Sequence, residues 1–190
     1  MTLLTVWPDD QPGHVLLRTE DTGTITVELK RHGVGFARWP LAGLAPDAGE
    51  AEVLAGYRDR VDGLTAAVGY HSVDVVRGDT QPAVTLPAVA EHSSGTDEDR
   101  FFVSGSAVWY VHAGRWVHAV LCEPGDLLRI PAHTRHWHDG GERPGHVTIR
   151  VRHPASATAA QPGTPLRPAD FPGFDALVAD RATARPALTR

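Results

Sequence analysis

His92-Ser-Ser-Gly-Thr-Asp-Glu98, then Gly105, and further along Gly125 followed by Pro131-Ala-His-Thr-Arg-His136: these two blocks decide how the rest of the chain is read. Residues two apart on an extended strand point to the same face. His92 and Ser94 therefore look to one side, and the tight turn at Gly95 returns Glu98 to it. The turn set by Pro131 delivers His136 from the second block. Imidazole and carboxylate together suit Fe, Ni, Mn or Zn, and two histidines with one carboxylate and open positions is the arrangement of non-haem Fe(II) oxygenases. Either block alone carries little, because polar residues in surface loops give the same letters. Both together, in this order, carry the reading of a mononuclear metal site at His92, Glu98 and His136.

Around the blocks the chain reads as strand after strand from Val73 to Arg152. Phe101–Val103, Ala107–His112, Trp116–Leu121, Asp126–Ile130 and Val147–Arg152 are separated by Ser-Gly, Ala-Gly, Pro-Gly and Gly-Gly turns, the pattern of a sandwich or barrel. Before them, Leu3–Val6, His14–Arg18 and Thr24–Lys30 are rich in β-branched and aliphatic residues and read as further strands. Asp47 to Val68 reads as one helix. Asp47 and Glu50 have the spacing of a capping box, Gly69 ends it, and Val53, Leu54, Tyr57, Val61, Leu64 and Val68 form one apolar stripe. Pro154–Pro172 reads as an irregular wrap, and Phe174–Ala184 as a short terminal helix. The organisation expected is one domain over residues 1–190: N-terminal strands and helix (1–68), a metal-binding barrel core (69–153) and a C-terminal wrap (154–190).

Composition narrows the function. With 190 residues the chain is long enough for one domain with a proper core. A net charge of −5 with scattered basic residues does not fit a nucleic-acid partner. No apolar run approaches the length of a membrane span, and the N-terminus does not read as a signal peptide. The single cysteine, Cys122, excludes an internal disulfide and fits the cytoplasm; it reads as a small buried hydrophobe. Trp109, Tyr110, Trp116 and Trp137 alternate on strands and read as core or exterior packing.

The two blocks resemble the paired motifs of the cupins, whose fold is a double-stranded antiparallel β-helix or jelly-roll barrel. Every motif position is met except one, since Ser94 stands where the second histidine falls. Within the cupins the match is narrower. Glu91-His92, Asp97-Glu98-Asp99-Arg100-Phe101-Phe102-Val103, Val120-Leu121-Cys122-Glu123-Pro124-Gly125-Asp126-Leu127 and Pro131-Ala132-His133-Thr134-Arg135-His136-Trp137 are similar to the signature of the acireductone dioxygenase family. Gly69 to Val76 resembles a segment upstream of that family's metal site. The similarity covers about Gly69 to Val151.

That family oxidises a metal-chelating enediol with O2, using Fe or Ni. The resemblance implies an enzyme, a mononuclear dioxygenase with Fe(II) foremost and Ni(II) as the alternative, taking a small molecule and O2 as a monomer or homodimer. It implies His92, Glu98 and His136 as ligands and Arg100 and Arg150 in the pocket. Arg150 is a charge in an apolar strand, and either an anionic substrate or a carboxylate of the chain would satisfy it. Ser94, His138, Ala88 and Phe102 are expected against the substrate. His138, two residues after His136, shares its face and is the alternative for the missing ligand; His133 reads as structural. The walls depart from the family at Thr85–Ala88 and His153–Ala157, which favours a repurposed substrate over methionine salvage. The rivals are a genuine acireductone dioxygenase with a relocated ligand and a metal-free binding module.

Overall fold

The computed structural model describes residues 1–66, 69–80, 90–154 and 163–184. In strand β5 (Glu98–Ser104) alternation divides the residues between two environments. Phe102 packs with Leu128, Ile130 and Trp109, while Phe101 and Val103 pack on the opposite face with Val53, Tyr57 and Val61. The same division runs through two five-stranded antiparallel sheets. One has the order β2 (Leu17–Thr19), β1 (Leu3–Pro8), β7 (Trp116–Cys122), β6 (Ala107–Ala113), β9 (Arg135–Asp139). The other has β3 (Gly35–Arg38), β8 (Asp126–Ile130), β5, β10 (Val147–Arg152), β4 (Ser72–Arg77). Their inner faces meet in a core of Leu4, Val6, Phe36, Phe102, Trp109, Val111, Val120, Cys122 and Leu128. This is the expected all-β jelly-roll with few helices.

The outer faces are closed differently. Helices α2 (Glu50–Gly56) and α3 (Arg58–Thr65) cover the second sheet. Phe171 and Leu177, the latter on α4 (Phe174–Ala184), cover the first against Trp7 and Trp137. Trp109, Tyr110 and Trp137 are buried, whereas Trp116 is exposed. Cys122 is fully buried on the inner face. Burial, with Asp126 and Glu123 nearby, pushes its thiol well above the usual range.

Two turns depend on glycine. Gly105 (φ +65) and Gly125 (φ +93), the glycines of the two blocks, both lie in the left-handed region. At Gly105 a Cβ would meet the Gly145 carbonyl oxygen at 2.6 Å, so the β5–β6 turn passes too close to the loop before β10 for any side chain.

Three expectations are corrected. Thr24–Lys30 is not a strand but lies in helix α1 (Thr22–Lys30). Asp21 Oδ1 caps it by accepting from Thr24 N and Oγ1, both at 2.7 Å, and Ile25 and Leu29, one turn apart, are fully buried. The cap and this packing outweigh the β-branched content. The strand read over His14–Arg18 is only Leu17–Thr19. The helix read over Asp47–Val68 is two helices that meet at Tyr57, whose φ of −120 and ψ of 15 leave the helical region. There Tyr57 packs on Phe101 and its hydroxyl oxygen accepts from Ala42 N, while Gly56 before it is a weak helix former. Gly49, not Asp47, is the N-cap, and it makes no side-chain hydrogen bond. The stripe nonetheless packs through Val53, Tyr57 and Val61; Val68 lies outside the described residues.

Candidate metal centre

His136 is an inward residue of β9, and its partner lies across an isolated bridge. His92 N donates to His136 O at 3.1 Å and His136 N donates to His92 O at 2.8 Å. This pairing brings the two imidazoles side by side, tilted 53° to one another, with ring centroids 4.5 Å apart. Each Nδ1 is turned to a backbone carbonyl, His92 to Ala90 O at 3.0 Å and His136 to Thr134 O at 2.9 Å. With Nδ1 as donor, Nε2 keeps its lone pair for a metal, and carbonyl partners of this kind fix a ligating imidazole's tautomer. Burial pulls His136 below the usual histidine range although the Thr134 carbonyl opposes it. Its imidazole is therefore neutral and able to ligate at neutral pH.

Glu98 enters from the other sheet, at the start of β5. Burial acts to raise its carboxyl, but Arg100 overrides this and Arg150 adds to it, so the carboxylate is held below its ordinary range. Arg100 Nε donates to Glu98 Oε1 at 2.6 Å, and Arg152 Nε lies 3.6 Å from Oε2. His92, Glu98 and His136 line one cavity of about 450 Å³ together with Ser94, Arg100, Trp109, His138, His146 and Arg150. Their donor atoms are not gathered as tightly as the set in which all lie within 4.8 Å, which among the described residues is Glu28, His32 and His118. Two imidazoles with free Nε2 atoms and an ionised carboxylate are the donors a divalent transition metal takes, so the residues present fit one.

The remaining expected residues fall into distinct places. Arg100 is buried and lies over Trp109, 5.4 Å from the ring centroid. Arg150 lines the cavity but is paired with a carboxylate of the chain. Its Nε donates to Asp74 Oδ1 at 2.8 Å, and a second guanidinium nitrogen donates to Oδ2. Ser94 lines the cavity with its hydroxyl engaged, accepting from Thr96 N at 3.1 Å and sharing a bond with Thr96 Oγ1 at 2.9 Å. Its carbonyl accepts from His133 N at 2.7 Å, and His133 adopts φ +64, consistent with a structural role. His138 stacks on Trp109 with centroids 4.8 Å apart. Burial, then Arg100, pulls it down to about 4. Phe102 is fully buried in the core behind Trp109 and does not line the cavity. Ala88 lies outside the described residues.

Asp74, Arg152 and His146 belong to this surround and were not singled out from the sequence. Alternation could have found Arg152, two residues beyond Arg150; Asp74 is the cross-strand partner of Arg150, which only the strand register reveals. His146 comes from an irregular loop, which gives no such signal.

The sequence pattern of the ARD/ARD' family matches residues 25–156. The chain belongs to the ARD/ARD' family. An acireductone dioxygenase of Saccharopolyspora erythraea is 44% identical over 95% of this chain and 100% of its own length. An acireductone dioxygenase 2 of Nocardia farcinica is 37% identical over 94% of this chain and 98% of its own. Among solved structures, an acireductone dioxygenase from Bacillus anthracis with a cadmium ion in its active centre aligns with TM-score 0.68 and 24% identity, covering 86% of this chain and 98% of that one. At that identity the likeness establishes the cupin fold. In this ARD/ARD' family member, Ser94 lines the cavity beside His92. No helix among the described residues is long and apolar enough to cross a membrane.

Proposed function

We propose that the chain is a metal-dependent cupin dioxygenase that uses O2 on a small, anionic, metal-chelating substrate of the enediol class. The observation that carries the reading is the charge of the cavity wall. Arg100, Arg150 and Arg152 stand against Glu98 and Asp74, three cations against two carboxylates, beside a pair of ligand-ready imidazoles. The surplus of one positive charge suits an enediolate or carboxylate.

His92, Glu98 and His136 would hold Fe(II) or Ni(II), which would supply a Lewis acid and a redox partner for O2. The protein's part is orientation. Arg100 fixes Glu98 and presents its guanidinium to the anion, and the ring of Trp109 keeps that guanidinium in place. His138, neutral because burial pulls it down to about 4, offers a hydrogen bond without adding charge. With Ser94 in place of an imidazole, three protein ligands leave room for a bidentate substrate and O2.

The full-length relation to the Saccharopolyspora erythraea protein favours acireductone itself as the second reading. The sequence departures at Thr85–Ala88 and His153–Ala157, which lie outside the described residues except for His153 and Pro154, support a repurposed substrate. The test is to load the protein anaerobically with Fe(II), measure bound metal, and follow O2 uptake with the acireductone enediol, thiols and 2-oxo acids. About one Fe per chain in the cavity, lost in His136→Ala, with O2 uptake on one class is the expected result. Full metal content in His136→Ala, or no uptake on any class, would overturn the reading.

A further inference from the structure

His118 is the inward residue of β7 that faces Val111 and Val6 in register. Its side chain is fully buried, yet neither ring nitrogen has a hydrogen-bond partner. An imidazole sealed from water with both nitrogens unpaired is costly, and its surroundings indicate what would satisfy it. Glu28, in the last turn of α1, and His32, in the turn just beyond it, lie over it. Glu28 Oε1 is 3.5 Å from His118 Nε2 and 3.9 Å from His32 Nε2. The two imidazole centroids are 4.6 Å apart.

The cluster is built. Glu28 Oε2 is held by Arg31 at 2.6 Å, which leaves Oε1 aimed at both imidazoles. The turn after α1 closes at Gly33 (φ +78), with Gly33 N donating to Lys30 O at 3.0 Å and Val34 N to Leu29 O at 3.1 Å, and this fixes His32 above the last turn. A salt bridge does not account for the arrangement. Burial, then His32, pulls His118 down to about 4, with Glu28 and the Val111 carbonyl opposing too weakly, so the ring is neutral at neutral pH. Donors bound at about 2.0–2.1 Å to a tetrahedral ion lie about 3.3–3.4 Å apart, close to the 3.5 and 3.9 Å seen from Glu28 Oε1. His32 and Glu28 are only half-buried, which leaves a route from solvent.

We propose that Glu28, His32 and His118 form a second metal site, separate from the cavity, that takes a divalent ion of the Zn(II) class through two imidazoles and one carboxylate. It pins α1 to the inner face of β7. In the register of the first sheet, His118, Val111 and His136 lie side by side, so at about 4.8 Å per strand the backbones of His118 and His136 are about 10 Å apart.

The test uses full-length, chelator-stripped protein with His92→Ala and His136→Ala to silence the cavity, titrated calorimetrically with Zn(II) alone. One equivalent is expected in this background, and Glu28→Gln or His32→Ala, at half-buried positions that tolerate substitution, should weaken it by more than about 100-fold, beyond the range of an outer-shell change. Co(II) should give a visible tetrahedral spectrum lost in the same two variants. No Zn(II) bound in the silenced protein, or binding unchanged by both variants, would overturn the site. A cavity that binds no metal leaves this result untouched, because the silenced background already lacks it.

Discussion

His136, His138 and Trp109 reach the cavity from the first sheet, and Glu98, Arg100, Arg150 and Arg152 reach it from the second. The two walls are held by different means. On the first, neutral rings are positioned by backbone carbonyls and by stacking: Thr134 O on His136, and Trp109 on His138. On the second, charges position one another, Glu98 with Arg100 and Arg152, Arg150 with Asp74. The first wall is positioned without charge and presents imidazoles to the cavity. The second holds paired charges that an arriving anion can share, and it suits recognition.

This contrast is sharpened by separating the two arginines. Among the described residues Arg100 is bridged only to Glu98, whereas Arg150 is already forked onto Asp74. Arg100→Lys loses the planar fork and a charge-assisted bond worth about 1.5–3 kcal/mol, so kcat/KM should fall roughly ten- to a hundred-fold. Arg150→Lys should cost only a few-fold. Steady-state kinetics on both variants checks this; equal losses would mean that Asp74 does not set Arg150 apart.

A smaller effect is expected where the walls meet. His133 N holds the backbone of residue 94 whatever its side chain, so Ser94→His should place an imidazole at the cavity edge. Metal affinity should rise about tenfold, equivalent to about 1.4 kcal/mol, and native turnover should fall as a position is closed. Titration of Ni(II) into wild type, Ser94→His and His138→Ala distinguishes the alternatives. Little gain from the first with loss in the second would assign the fourth ligand to His138.

The smallest expected effect tests the charged wall alone. Burial acts to raise Asp74, but Arg150 more than offsets it and holds the carboxyl below 3.8. A depressed carboxylate adds stability that is present above its unfolded value and is lost as pH falls through the folded one. Asp74→Asn should therefore flatten the acid limb of the stability curve below about pH 4, by less than about 1 kcal/mol because the pair is partly solvated. Urea unfolding at pH 7 and pH 3.5 measures it, and an unchanged pH difference would mean that the Asp74–Arg150 pair contributes nothing.

The first wall was the more legible in the sequence. Strand alternation carries His136 and His138 inward together, and the two turn glycines sit where the motif spacing put them. Charged pairs on the second wall depend on register between strands far apart in the chain, which no local pattern encodes; hence Arg150 was open between substrate and carboxylate until Asp74 was seen opposite it. The α1 segment shows a different failure. Thr, Ile and Val biased it toward a strand, while a single capping aspartate and two buried residues one turn apart made it a helix. Reading it as a strand also hid the Glu28–His32 spacing, which is meaningful only with a helical period.

Cys122, sealed on the inner face with its thiol pushed well above the usual range, gives the chain a built-in clock. Only the thiolate reacts with alkylating reagents, and here it cannot form until the sandwich parts. Because there is one cysteine in the whole chain, the rate at which the native protein is alkylated follows the openings that expose this inner face, once reagent is in enough excess for alkylation to outpace reclosing.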